Sequence, residues 1–303
     1  MRRERWLILA MVALLFATPA IVGLGQTQLP VRIGEVPGWE DVEIMGSMIE
    51  YLVEKLNYPV EVIYADLGVL LAGLESGDIN LYPGLCLPVC HARYFEELTP
   101  NIRALGPGYM LLYQGVQVPG YVPADVLRTW EDFKTPVVFE NLDGKIIGIE
   151  PGSGFMENAE MAMEAYGLFD YGYELVAGSE AAMQAALDKA AEKGEWIAVL
   201  LKRPQWLNAE YNMRPLEEPL GIWNSINQGT IAVHSGFLLE FPFGISQAIA
   251  RYYISDSVIA DLMVLYGTTG KEYRQLAREW MDGHPKTVHY WLTGEIEDET
   301  VQY

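Results

Sequence analysis

The stretch that decides the fold is "PVRIGEVPGWEDVEIMGSMIEYLVEKLNYPVEVIYA", residues 30–65. Its two ends, "PVRIGEV" (30–36) and "YPVEVIYA" (58–65), are short apolar runs rich in β-branched residues, the composition of strands. Between them Val42, Met45, Ile49, Leu52 and Leu56 recur at helical spacing, so 41–57 reads as an amphipathic helix. Strand, helix, strand is the start of an α/β fold, and the order predicts a parallel sheet. Outward from there, "LGVLLAGLESG" (67–77) is a short helix stopped at Gly77, and "DINLYPG" (78–84) is a third strand. The middle of the chain repeats the pattern. "GKIIGIE" (144–150) reads as a strand, followed by a helix from the "PGSG" turn (151–154) to Gly167, then the strand "YELVAG". "SEAAMQAALDKAAEKG" (179–194) is the clearest helix, with Ser179 as N-cap, many alanines and Gly194 as stop. The strand "EWIAVLL" (195–201) follows. Two successive βαβ blocks predict two α/β lobes, and the extended "LGPGYMLLYQGVQVP" (105–119) suits a crossover between them. One more strand, "TIAVH" (230–234), precedes a helical C-terminal region from Ile245 onward.

Composition bounds the function. The 303 residues are half apolar, enough for about two domains with real cores. A net charge of −21 argues against nucleic acid and anionic membrane surfaces as partners. At the N-terminus Arg2, Arg3 and Arg5 precede an apolar run, Trp6 to Ala17, and then small and polar residues around Gly23, Gly25 and Gln26. That is the layout of an export signal, residues 1–25, cleaved near residue 25 or retained as an anchor reaching Leu24. No cysteine stands near that point to carry a lipid. The working compartment is therefore outside the cytoplasmic membrane, where a disulfide can persist.

Several stretches lie where ligands bind in open α/β sheets, beyond the carboxyl ends of strands. On "VPGWEDVE" (36–43) Trp39 offers an aromatic face and Asp41 a carboxylate; packing on the core and capping a helix account for them equally well. "LCLPVCH" (85–91) holds Cys86 and Cys90, the only two cysteines, and His91. A disulfide if Pro88 bends the chain, a metal site short of a fourth ligand, a thiol nucleophile and an ordinary loop are all open there. "EPGSGF" (150–155) is a glycine-rich turn into a helix, whose free N–H groups suit an anion but whose spacing matches neither a P-loop nor a dinucleotide fingerprint. "LLKRPQW" (200–206) leaves a strand with Lys202, Arg203 and Trp206. Signs of catalysis are poor: the four histidines are scattered, and neither HExxH nor Gly-x-Ser-x-Gly occurs.

Taken in order, "LESGDINLYPGLCLPVCH", "GPGYMLLYQGVQVPGYV", "DGKIIGIEPGSGFM", "AYGLFDYGYELVAGSEAAMQAALDKA" and "EWMDGHPKTVHYWL" resemble the substrate-binding proteins of ABC transporters for glycine betaine, proline betaine and choline. The match runs from about residue 30 to 293. The resemblance implies a two-lobed periplasmic-binding-protein-like α/β fold joined by crossover hinge segments. One lobe would span 27–112 and 218–303 and the other 113–217, closing on a quaternary ammonium held in an aromatic cage. Three familiar cage positions depart from the pattern. The Trp of "W-L-P" is Cys86, the Trp of "P-G-W-G" is Ser153, and the first Trp of "W-x-P-H-W" is Lys202, with Gln205 in place of that motif's His. Trp39 and Asp41 match the "G-W-x-D" of choline-type members, His91 matches a histidine of some betaine binders, and Gly152, Ser153 and Gly154 keep the turn that accepts a carboxylate. Trp206 keeps the last Trp of its motif, and Tyr109 and Tyr113 are further aromatics near the hinge.

The resulting expectation is a monomeric, exported solute-binding protein delivering a small quaternary-ammonium or zwitterionic osmolyte to permease and ATPase subunits, with no cofactor and no metal. It would meet the membrane only through the permease or an uncleaved N-terminus. The losses from the cage, and the cations Lys202 and Arg203, keep a carboxylate- or anion-bearing ligand as the alternative. A thiol-dependent enzyme using Cys86 or Cys90 with His91 and a sensory subunit are further readings.

Overall fold

The computed structural model of the chain describes residues 28–98, 100–111, 113–222 and 227–296. The proposed export segment lies outside these residues. Two five-stranded sheets organise the fold. The first, in the order β2-β1-β3-β10-β4, is built from β1 (Val31–Glu35), β2 (Val60–Tyr64), β3 (Leu81–Leu87), β4 (Ile102–Leu111) and β10 (Asn227–His234). The second, β7-β6-β8-β5-β9, uses β5 (Tyr113–Val118), β6 (Lys145–Ile147), β7 (Glu174–Val176), β8 (Val199–Arg203) and β9 (Arg214–Pro215).

The expected βαβ units are present. β1 runs parallel to β2 and β3, and β6 parallel to β7 and β8. The sheets are nonetheless mixed rather than purely parallel, because β10 is antiparallel to β3 and β4, and β5 is antiparallel to β8 and β9. The reason lies in the crossovers. β4 ends at Leu111 in one sheet and β5 begins at Tyr113 in the other. Strands of a βαβ unit deliver their carboxyl ends to the cleft, whereas a strand arriving from the other lobe starts there and runs the opposite way.

In lobe I the helix α1 (Glu40–Lys55) is buried along most of its length. Ile44, Met45, Met48, Ile49 and Leu52 pack into a core shared with the sheet and with the C-terminal helices, as the spacing of its apolar residues requires. The second helix, α2 (Leu67–Ser76), stops at Gly77, which takes a left-handed φ of 84°. α3 (Ala92–Leu98) follows β3. Lobe II has its own core around Trp130, Phe133, Met163 and Leu187. Its helices are α4 (Pro136–Asn141), α5 (Gly154–Ala165), α6 (Leu168–Tyr171), α7 (Glu180–Lys193) and α8 (Leu207–Glu210). Ser179 caps α7 by accepting from the Ala182 N–H, and Gly194 closes it, both as the sequence indicates. The remaining helices α9 (Phe237–Glu240), α10 (Phe243–Arg251), α11 (Asp256–Thr269), α12 (Tyr273–Gly283) and α13 (Pro285–Thr293) complete lobe I.

Two strand limits matter for the site. β3 begins three residues later than the sequence reading and runs through Leu87, so Cys86 stands in a strand rather than past one. β8 begins at Val199 and runs through Arg203, which places Lys202 and Arg203 on opposite faces of a strand.

Candidate ligand site

Trp39 precedes α1 and Asp41 lies in its first turn, beyond the carboxyl end of β1. Asp41 does not cap the helix, which has no side-chain cap. Its carboxylate is buried and faces across the cleft instead. Oδ1 accepts from the Lys202 Nζ at 2.6 Å, and Oδ2 accepts from the Tyr109 hydroxyl. Tyr109 has room because it faces Gly229 across the β4–β10 ladder, where a side chain would strike its ring. The Lys202 ammonium therefore points into the cleft. It also lies 3.5 Å from the Glu180 carboxylate and 5.7 Å from the centre of the Trp39 ring. The register of the β5–β8 ladder sets Gln114 directly opposite Lys202, so both reach the same face.

Electrostatics follow from burial and from these partners. Burial pushes the Asp41 carboxyl upward, but the Lys202 charge, its hydrogen bond and that of Tyr109 outweigh this and hold it below its ordinary value. Burial likewise disfavours the charged lysine, and Asp41 and Glu180 reverse that, so Lys202 stays an ammonium. Glu180 is pushed up to about 7 and Glu40 to about 8, both chiefly by burial.

The cleft also carries buried aromatic and sulfur groups. The Trp39 indole N–H donates to Glu150 at 3.0 Å, across the lobes, and its ring lies nearly parallel to the His91 ring at 6.4 Å between centres. The backbone N–H of Cys86 donates to His91 Nδ1 at 2.9 Å, which leaves the ring proton on Nε2. Burial pulls the His91 pKa down to about 4, so the ring is neutral. Cys86 and Cys90 are free thiols, and both reach the side-chain oxygen of Gln114. The neighbouring Cys90 thiol and burial hold Cys86 well above its ordinary range, so it is a protonated and poor nucleophile. Among the described residues no group of three or more His, Cys, Asp and Glu is arranged to hold a metal ion.

The 152–154 turn brings lobe II against this wall. Gly152 has a φ of 80° and its carbonyl accepts from the Tyr94 hydroxyl at 2.8 Å. Ser153 caps α5 by accepting from the Met156 N–H at 3.3 Å. Gly154 meets the Cys90 backbone so closely that a Cβ there would lie 1.7 Å from the Cys90 oxygen. Trp39, Asp41, Cys86, His91, Tyr109, Ser153 and Lys202 thus converge on one cavity of about 40 Å³.

Four sequence candidates do not line it: Gly152 and Gly154 flank Ser153 outside the cavity, and Arg203 and Trp206 lie elsewhere. Arg203 turns to the other face of β8 and is held by Asn208 and the Met213 carbonyl, so it offers no positive wall to the cleft. Trp206 donates its indole N–H to Glu40 at 3.0 Å and leans on Gly267, which makes it a clasp between the lobes outside the cavity. Conversely Gln114 lines the cavity, and Glu150 and Glu180 hold Trp39 and Lys202, yet none of the three was singled out within its stretch of sequence. For Gln114 the signal was its pairing with Lys202 in the hinge ladder. Glu180, one residue after an N-cap, looks like any acid at a helix start.

Residues 30–283 match the family described as the substrate binding domain of the ABC-type glycine betaine transport system. Among solved structures, the glycine betaine/L-proline-binding protein ProX of Borrelia burgdorferi superposes with a TM-score of 0.80 at 28% identity, covering 87% of this chain and 97% of that one. Lactococcal OpuAC, in its closed form with glycine betaine, shares the fold with a TM-score of 0.78 at 22% identity, covering 87% of this chain and 99% of that one. The glycine betaine/carnitine transport binding protein GbuC of Listeria monocytogenes is 24% identical over 155 residues, and the chain spans about half the length of that relative, 51% of each. With the two-sheet fold and a cleft that seats an ammonium on an aromatic ring, this chain belongs to the family of substrate-binding domains of ABC-type glycine betaine transport systems.

Proposed function

We propose that this chain is the exported capture component of an ABC importer, taking a small quaternary-ammonium or zwitterionic osmolyte between lobe I (27–112 with 218–303) and lobe II (113–217). As a monomer it delivers the ligand to permease and ATPase subunits and meets the membrane only through them or through an uncleaved N-terminal segment. One observation carries the reading: the cleft already holds an ammonium, that of Lys202, against the Asp41 carboxylate and over the Trp39 ring. A seat that satisfies one ammonium by charge and by a ring face has the chemistry an onium ligand needs. Trp39, Asp41, Tyr109 and His91 form its wall in lobe I, and Ser153 with Gln114 forms the other. The names of the relatives, which cite glycine betaine and carnitine, point the same way.

The anion reading has less support, because Lys202 is matched by Asp41 and Glu180 and Arg203 faces away. The family is one of binding proteins rather than enzymes. Thermal-shift and calorimetric titration of the mature protein with glycine betaine, choline, carnitine, a sulfonium analogue and anionic metabolites tests the reading. Saturable binding of at least one onium compound is expected. Binding of anions alone would sink it.

A further inference from the structure

We propose that Lys202 is a tethered ammonium that occupies the cation seat of this cleft and makes the site select zwitterions, an onium group joined to a carboxylate, over simple cations. The inference rests on the reading of the cleft as an onium site. Its starting point is geometric. Nζ of Lys202 lies 2.6 Å from Asp41 and over the Trp39 ring, where a carboxylate and an aromatic face meet in the cavity. An incoming onium group has to take that place from it.

The lysine cannot leave the site when displaced. It is anchored in β8, its side chain is only 10% exposed, and it lines the cavity. A second berth stands ready at Glu180, 3.5 Å from Nζ. The ligand then decides the charge balance. A simple cation adds a second positive charge beside the displaced ammonium in a buried site, and Glu180, whose carboxyl burial pushes up to about 7, has to give up its proton to balance it. A zwitterion adds none: its onium settles on Asp41 and Trp39 while its own carboxylate meets the freed ammonium. Gln114, opposite Lys202 in the ladder, adds an amide on the same face. Lys202 is thereby both an internal competitor for the onium seat and the partner of the ligand's acid group.

The test compares wild type, Lys202→Met and Lys202→Arg by calorimetric titration with glycine betaine and with choline. The wild type should prefer betaine, Lys202→Met should lower the betaine-to-choline affinity ratio by about tenfold or more, chiefly by tightening choline, and Lys202→Arg should keep the preference. Should Lys202→Met fail to fold, Lys202→Gln carries the same comparison without the charge. An unchanged ratio in the uncharged variant overturns the proposal, as does equal loss of both ligands. A ligand-free measurement separates this from the functional reading. The distance between spin labels on the two lobes should lengthen in Lys202→Met, because the cross-cleft tie to Asp41 is gone. If no onium compound binds any of the proteins, the functional reading fails and the zwitterion preference falls with it, while the tether stands or falls on that distance alone.

Discussion

Among the described residues two ion pairs join the lobes, and on paper they look alike. Arg93 meets Glu157 at 2.9 Å, and Lys202 meets Asp41 at 2.6 Å. Their surroundings differ. The Arg93 side chain is 63% exposed, whereas those of Lys202 and Asp41 are 10% and 6% exposed. Water and salt screen the first, so it contributes little. The second is buried among Trp39, Tyr109 and Glu180. Removing one member there strands the other, although the intact pair is not by that token a large source of stability. One interaction type thus does two jobs: a weak clasp at the rim and a committed charge arrangement at the seat.

The largest effect should come from breaking the buried pair on one side. Asp41→Asn leaves the ammonium without its main counter-charge and should cost about 3–5 kcal/mol in urea unfolding, most of it recovered when Lys202→Met is added. Next is the acid limb. His91 is neutral in the fold with a pKa near 4 against an ordinary 6.5, so its contribution is full above pH 6.5 and is lost as pH falls towards 4. That difference amounts to about 3 kcal/mol, and a His91→Gln variant should lack this component of the pH profile of stability. Glu180 and Glu40, with raised pKa values, act in the opposite sense, so the comparison with the variant is what isolates the histidine. Third, Trp39→Ala removes the ring beneath the seat, and losing a desolvated cation–π contact of about 2 kcal/mol should weaken onium binding about thirtyfold in calorimetry. The smallest effect belongs to the rim: Arg93→Ala should change stability by less than about 1 kcal/mol, and added salt should erase even that. A rim variant as costly as Asp41→Asn would break the comparison.

How much of this the sequence discloses depends on the range of the interaction. Local signals read well: Ser179 and Gly194 bound α7, and Gly77 ends α2, because capping needs only neighbours along the chain. The fold class followed from the strand–helix order, but strand direction did not, since β5 and β10 owe theirs to crossing between lobes. Within the site, Trp39 and Asp41 were legible from their place beyond β1. Their partner Glu180 was not, because only the three-dimensional approach of α7 to β8 brings it to Lys202. Arg203 was misread because adjacent cations look equivalent in sequence, while a strand sends neighbours to opposite faces. The pair Cys86 and Cys90 drew four readings for want of Gln114, which lies on a different lobe and accepts from both thiols.

Gly154 has a mechanical meaning. Across the cleft the start of α5 rests on the Cys90 carbonyl like a doorstop, in a gap that a single methyl would overfill. Gly154→Ala would move that doorstop outward. The open form would be untouched and ligand would arrive at its usual rate, but the shut form would stand ajar and let it go sooner. The missing side chain is what lets the two lobes meet there.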